Sequence, residues 1–240
     1  MSILLSLISA SLIAVLLSRA IRRMPLLFYV AALLAVVAFL LFSAPTTNLL
    51  LRPLQDLIQK GHLAFAFFAV VMFVGVLRDD SALGRRLIPI RGELSLIGSI
   101  LICGHFAPLL ANYIGLAEHF FRLRPNLMTG LLLSGVLLVL FAVLTVSSLR
   151  RVRSALDIRL WRRVQRFAYL FFGLIYLHIL GYLLVPALQG ATTARDSIIV
   201  YSVVFALYLI LRLRRYRLRN SSPRTPARHC GLAPESTRRR

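Results

Sequence analysis

Trp161-Arg-Arg-Val-Gln-Arg-Phe-Ala-Tyr-Leu-Phe-Phe-Gly-Leu-Ile-Tyr-Leu-His178-Ile-Leu-Gly-Tyr-Leu-Leu184 opens on arginines and continues as an apolar run with one histidine deep inside it. Hydrocarbon does not solvate an ionisable side chain, so a histidine at that depth marks a functional site and needs a partner. One other histidine has a comparable setting: His105, within Glu93-Leu-Ser-Leu-Ile-Gly-Ser-Ile-Leu-Ile-Cys-Gly-His105-Phe-Ala-Pro-Leu-Leu-Ala-Asn-Tyr-Ile114.

The surrounding composition is that of an integral membrane protein. Hydrophobic residues make up 59% of the 240 positions and the mean hydropathy is +0.80, well above an ordinary soluble domain. A net charge of +21 would suggest nucleic acid in a soluble chain. Here the arginines stand at the ends of apolar runs, where they set topology, and nucleic acid is not expected as a partner. Cys103 and Cys230 have no metal-ligand spacing and form no disulfide framework.

Seven spans are expected, at 3–17, 26–42, 61–77, 93–116, 127–149, 164–185 and 197–211. The first is short for a crossing of about 20 residues. Its positive charge follows rather than precedes it, the reverse of a secretory signal. A turn-forming cluster closes the second span at 43–48, and 49–60 reads as an amphipathic segment at the outer surface. Arginines gather at 19, 22 and 23, at 78, 85, 86 and 91, and at 150, 151, 153, 159, 162 and 163. This places those loops inside, with the N-terminus outside and the C-terminus cytoplasmic in a cell (inner) membrane. The expected organisation is an extra N-terminal helix with its basic loop (1–25), a core of six transmembrane helices (26–212), and a basic disordered tail (213–240).

The fourth and sixth spans run in the same direction. His105 lies twelve residues past Glu93 and His178 fourteen past Val164, or about 18 and 21 Å into a core of about 30 Å. Two level imidazoles on separate helices can bind one haem iron from its two sides, an arrangement suited to passing electrons. Gly98, Ser99 and Gly104 near one histidine, and Gly173 and Gly181 near the other, are small enough to leave room for a flat ring. They equally serve close helix packing, and a membrane histidine is often only an interhelical hydrogen-bonding group.

At these residues the sequence resembles the ferric reductase-like transmembrane superfamily of six-helix haem b proteins, and within it the bacterial MsrQ (YedZ) group of haem b membrane subunits, partners of a periplasmic methionine sulfoxide reductase. The resemblance runs from about Pro53 to Leu184. It rests on the helix opening at Gly61, the stretch from Arg85 to Leu96, the His105 helix, and the pattern Trp161-x3-Gln165-x3-Tyr169-x8-His178. It implies b-type haem ligated by His105 and His178. It also implies electrons passing from a cytoplasmic flavin donor or a membrane quinol to an extracytoplasmic reductase, ferric iron or oxygen. The superfamily commonly has a further histidine where Gln165 stands, and Arg91, fourteen residues before His105, is a poor haem ligand. The inner ligand pair is therefore missing, and one haem in the outer half is expected. An FMN or quinone near Arg91, Arg163 and Gln165 would relay electrons to it. Residues 213–240 hold no Gly-rich phosphate loop, so the donor is expected to be a separate flavin reductase or a quinol.

His62, where the MsrQ group typically has arginine, opens the third span. It reads as an interfacial polar residue, or as a contact to a haem propionate or quinone. Tyr113 and Tyr182 could also reach a propionate, whereas His119 and His229 read as solvated. No HExxH or Gly-x-Ser-x-Gly pattern points to hydrolysis, and the spans lack the acids expected of ion-coupled transport. Two function classes remain: a haem-bearing electron carrier, and a haem-free multi-pass scaffold or transporter in which His105 and His178 bridge helices.

Overall fold

The computed structural model describes residues 2–42, 52–117 and 125–221, and within them all side chains except those of 52–54, 111–117, 125–126, 150–151 and 219–221. Every element among the described residues is helical: α1 (Ser2–Leu16), α2 (Ser18–Arg23), α3 (Pro25–Leu41), α4 (Arg52–Gln59), α5 (His62–Val74), α6 (Ala82–Leu87), a 3₁₀ turn (Ile88–Ile90), α7 (Arg91–Ala117), α8 (Pro125–Ser148), α9 (Arg150–Ala155), α10 (Ile158–Leu188) and α11 (Thr192–Ser221). Four runs among them are long and apolar enough to cross a membrane: Ala82–Leu110, Leu127–Ser148, Ile158–Leu188 and Thr192–Leu218. Helices α1, α3 and α5 are apolar but shorter.

Helix α5 is the hub. Consecutive residues Ala64, Phe65, Ala66, Phe67, Phe68 and Ala69 are all buried, so no face of the helix is left for solvent or lipid. Its thirteen residues reach about 20 Å. On one side α1 lays Ser6, Ala10 and Ala14 against it, all fully buried, small residues that let two backbones approach closely. On another side α7 meets α5 at Gly98, where an added Cβ would stand 3.2 Å from Phe67 and Phe68. Helix α3 covers the far side of α7, and α10 packs between α8 and α11. Aromatic rings join the two groups: Phe65 stacks on Phe172 at 6.1 Å and meets Tyr201 edge-on at 4.9 Å. The Phe68 and Phe171 rings cross at 90°.

The arginine-rich ends gather at one end of the bundle. Arg215 Nη1 donates to the Val76 carbonyl at the end of α5 (2.7 Å). Trp161 Nε1 donates to the Ser147 carbonyl (3.1 Å), with the Arg153 guanidinium 4.7 Å over its ring. In the turn after α5, Arg78 donates through Nε and Nη2 to both oxygens of Asp80 (3.0 and 2.6 Å), which holds that carboxyl below the usual carboxylate range. The pair is solvated and adds little stability.

Several boundaries differ from those read in the sequence. The basic stretches 78–91 and 150–163 were expected as loops and are largely helical, because arginine and leucine are good helix formers. Ser81 starts α6 by accepting from the Gly84 amide (2.9 Å). The sixth helix begins at Ile158 and runs through Pro186. It ends at Leu188 and is closed at Gly190 (φ 95°), where the Ala191 and Gly190 amides return to the Pro186 and Ala187 carbonyls in a Schellman closure that glycine permits. The seventh helix spans Thr192–Ser221, so the first part of the expected disordered tail is helical. The third helix stops at Val74, three residues early. The amphipathic segment 49–60 contains α4, while the 43–48 turn, the outer loop with Glu118 and His119, and the tail from 222 with His229 and Cys230 lie outside the described residues.

Candidate functional site

The setting of His105 is built by a tight crossing of α4 and α7. Gly104 lets α4 sit directly on α7: a Cβ there would stand 2.5 Å from Ile58 Cγ2, and Ile58 is 1% exposed. That contact brings the Gln59 carbonyl to His105 Nδ1 at 2.6 Å. The chain then turns at Gly61, whose φ of 67° is the left-handed conformation that glycine adopts without strain. The missing side chain makes room for the imidazole, since a Cβ at 61 would lie 3.2 Å from His105 Cγ. Pro108 lies inside α7 and has no amide for the Gly104 carbonyl, which loosens the helix beside the site.

A carbonyl only accepts, so the proton of His105 is on Nδ1, and Nε2 is left with its lone pair. His178 reaches the same state by a different route. Ser134 Oγ on α8 donates to the Gly130 carbonyl (2.8 Å), which commits its one proton. It therefore accepts from His178 Nδ1 at 3.3 Å. Tyr182, one turn on, meets the imidazole edge-on at 5.0 Å, and its ring occupies the space beside Gly130.

The two histidines lie within electrostatic range of one another, as do His105 and His62. His62 opens α5 and is 9% exposed. Its Nδ1 shares a hydrogen bond with Ser2 Oγ of α1 (3.1 Å), and Tyr201 of α11 is 6.4 Å away. Among the described residues no group of three or more His, Cys, Asp or Glu could hold a metal ion. Two imidazole lone pairs do not make a closed site for a bare ion. They do suit a metal whose other positions are already filled by a macrocycle.

The glycines expected to leave room for a ring divide. Gly98 and Gly104 are filled by helix packing, as is buried Ser99, whose Oγ bonds Thr145 Oγ1 of α8 (3.2 Å). Gly173 and Gly181 have nothing within 4 Å of an added Cβ. Of the residues expected around an inner relay, Gln165 donates to Ser147 Oγ and Ser148 Oγ (3.2 and 3.4 Å), tying α10 to α8, and Arg163 is exposed. Arg91 lies across Gly75 at the end of α5. The Tyr113 side chain lies outside the described residues. Cys103 donates to the Ser99 carbonyl (3.3 Å), a packing role. An open groove of about 470 Å³ on α8, lined by Leu131, Leu132, Gly135, Val136, Val139 and Leu140, holds no titratable group.

Sequence reasoning missed Ser134, the Gln59 carbonyl and Ser2. The Gly130-x3-Ser134 spacing puts both residues on one face of α8 and could have flagged the first. The other two depend on how distant segments cross. No family model matches the chain and no solved structure matches it. The chain is similar to an uncharacterized protein of Treponema pallidum (strain Nichols), 32% identical over 225 residues, which cover 90% of this chain and 61% of the length of that protein.

Proposed function

We propose that the chain is a haem b-containing transmembrane electron-transfer protein in which His105 and His178 would hold the haem iron, as its resemblance to the ferric reductase-like and MsrQ proteins implies. The observation that carries the reading is the shared tautomer. Both imidazoles have Nδ1 engaged and carry a lone pair on Nε2, on two helices whose backbones are not closely packed. A hydrogen bond from Nδ1 is how a ligating histidine is oriented and made more basic. A bis-imidazole b-type haem, when bound, carries single electrons as its iron cycles between ferric and ferrous. The chain's own part is to hold the two rings and keep water from them. One haem is expected, because Gln165 is engaged with α8 and Arg91 is no haem ligand.

The seven apolar helices would then be seven spans, with the arginine-rich end cytoplasmic in the inner membrane. Helices α1, α5 and α11 run toward that end and α7 and α10 away from it, as the positive-inside pattern requires. Electrons would pass from a cytoplasmic flavin reductase, through FMN or directly, or from a membrane quinol, to an extracytoplasmic reductase, ferric iron or oxygen. His62, level with His105, would contact a propionate or quinone.

The same hydrogen bonds favour a second reading, in which Gln59–His105 and Ser134–His178 are simply interhelical ties in a haem-free scaffold or transporter. A reduced-minus-oxidised spectrum of detergent-purified protein separates the two. Sharp b-type α and Soret bands, lost in both His105→Ala and His178→Ala, with a haem-to-protein ratio near one, are expected. A featureless trace overturns the haem reading and leaves the second.

A further inference from the structure

At the arginine-rich end, Tyr208 of α11 is 9% exposed. Its ring is held edge-on by Phe73 of α5 (5.7 Å) and Phe172 of α10 (5.3 Å). Among the described residues that hydroxyl makes no hydrogen bond, and a buried polar group without a partner calls for an explanation. Arg212 lies four residues further along α11, on the same face, and the Arg91 guanidinium of α7 lies over Gly75, just past the Phe73 turn of α5; both, with Tyr169 of α10, are within electrostatic range of the hydroxyl.

Arg212 Nη2 donates to Tyr169 Oη (2.7 Å) and lies over the same ring, so its other N–H groups remain available. The Arg91 guanidinium carbon is 3.5 Å from where a Cβ of Gly75 would stand. Arg91 has neither an acceptor nor a carboxylate among the described residues. The nearby acids are engaged: Asp79 pairs with Arg215 (3.7 Å), and Glu93 accepts from Tyr29 of α3. Two guanidinium groups and a phenol hydroxyl thus stand at this end of the bundle on α7 and α11, with Tyr169 Oη the one acceptor that takes up any of their donors among the described residues.

We propose that Arg91, Arg212 and Tyr208 form a binding site for a phosphate group, presented by an anionic lipid headgroup or by a soluble phosphate ester. A phosphate brings several anionic oxygens, takes paired N–H donors from a guanidinium, and accepts the phenol proton as well. Basic pockets between helices at the headgroup level are where such groups dock. The site is separate from the histidines and stands whether or not haem is bound.

Native mass spectrometry of the full chain in detergent tests it, with phosphatidylglycerol, the matching diacylglycerol, and glycerol 3-phosphate as probes. Wild type should retain one phosphatidylglycerol and no diacylglycerol. Occupancy should fall about tenfold in Arg91→Gln and about threefold in Tyr208→Phe, which keeps the ring packing. Displacement of the lipid by millimolar glycerol 3-phosphate assigns the site to a soluble ester, and resistance to it assigns the site to the lipid. Equal retention by wild type and both variants, or retention of diacylglycerol as strong as that of phosphatidylglycerol, overturns the proposal.

Discussion

His105 and His178 have the same tautomer in unlike surroundings. His105 stands where three segments meet: α4 pressed onto Gly104, the left-handed turn at Gly61, and α7 itself. Its partner is a backbone carbonyl at 2.6 Å. His178 rests on one serine of a neighbouring helix at 3.3 Å, beside glycines that face open space. The difference continues outward: 33% of the most apolar stretch of Ala82–Leu110 is buried, against 6% for both Leu127–Ser148 and Ile158–Leu188. One imidazole is held by packing and the other by a single side-chain bond, so the two should fail differently.

The largest effect is expected from Gly104→Leu. The side chain would collide with Ile58, lift α4 and remove the carbonyl from His105. We expect a loss of at least about 1–3 kcal/mol from overpacking, read as a lower unfolding temperature in detergent together with loss of the haem bands. Gly61→Ala should come next, at about 1–2 kcal/mol for a left-handed residue with a side chain, plus pressure on the His105 ring. If thermal unfolding of Gly61→Ala matched wild type, the cradle would not depend on that turn.

On the other side of the comparison, Ser134→Ala should leave the unfolding temperature nearly unchanged, since an interhelical bond in a membrane is worth about 0.6 kcal/mol. It should weaken haem retention roughly tenfold, measured by transfer of haem to an acceptor protein. A drop in stability as large as that of Gly61→Ala would show the two histidines to be equally braced. Gln165→Ala should do least, costing about 0.6 kcal/mol with an intact spectrum. Loss of the bands there would undo the one-haem placement.

Much of the fold was legible beforehand. The apolar runs and their arginine ends marked each of the seven apolar helices, because hydrophobic periods and charge placement are local properties of the chain. The ends were less legible. Helix continues through Arg212–Leu218 and past Pro186, since arginine favours helix and a proline near a C-terminus removes only one hydrogen bond. At the site, the place of His105 and His178 within long apolar helices could be read from the sequence. What each imidazole touches could not, nor that Gln165 bonds α8 while Arg91 lies over Gly75 at the end of α5.

By itself the sequence determined an all-helical, membrane-type chain, the spacing of two histidines within apolar helices, and the end of the bundle at which arginine collects. These follow from composition and from a rise that is the same for every helix. The tertiary structure alone decided that α5 is buried all round, that Gly104 and Gly61 shape the bed of His105, and that Tyr208 is packed between Phe73 and Phe172 at the arginine-rich end. Each of these depends on which helix crosses which, and that is settled by the fit of small and large side chains from segments far apart in the chain.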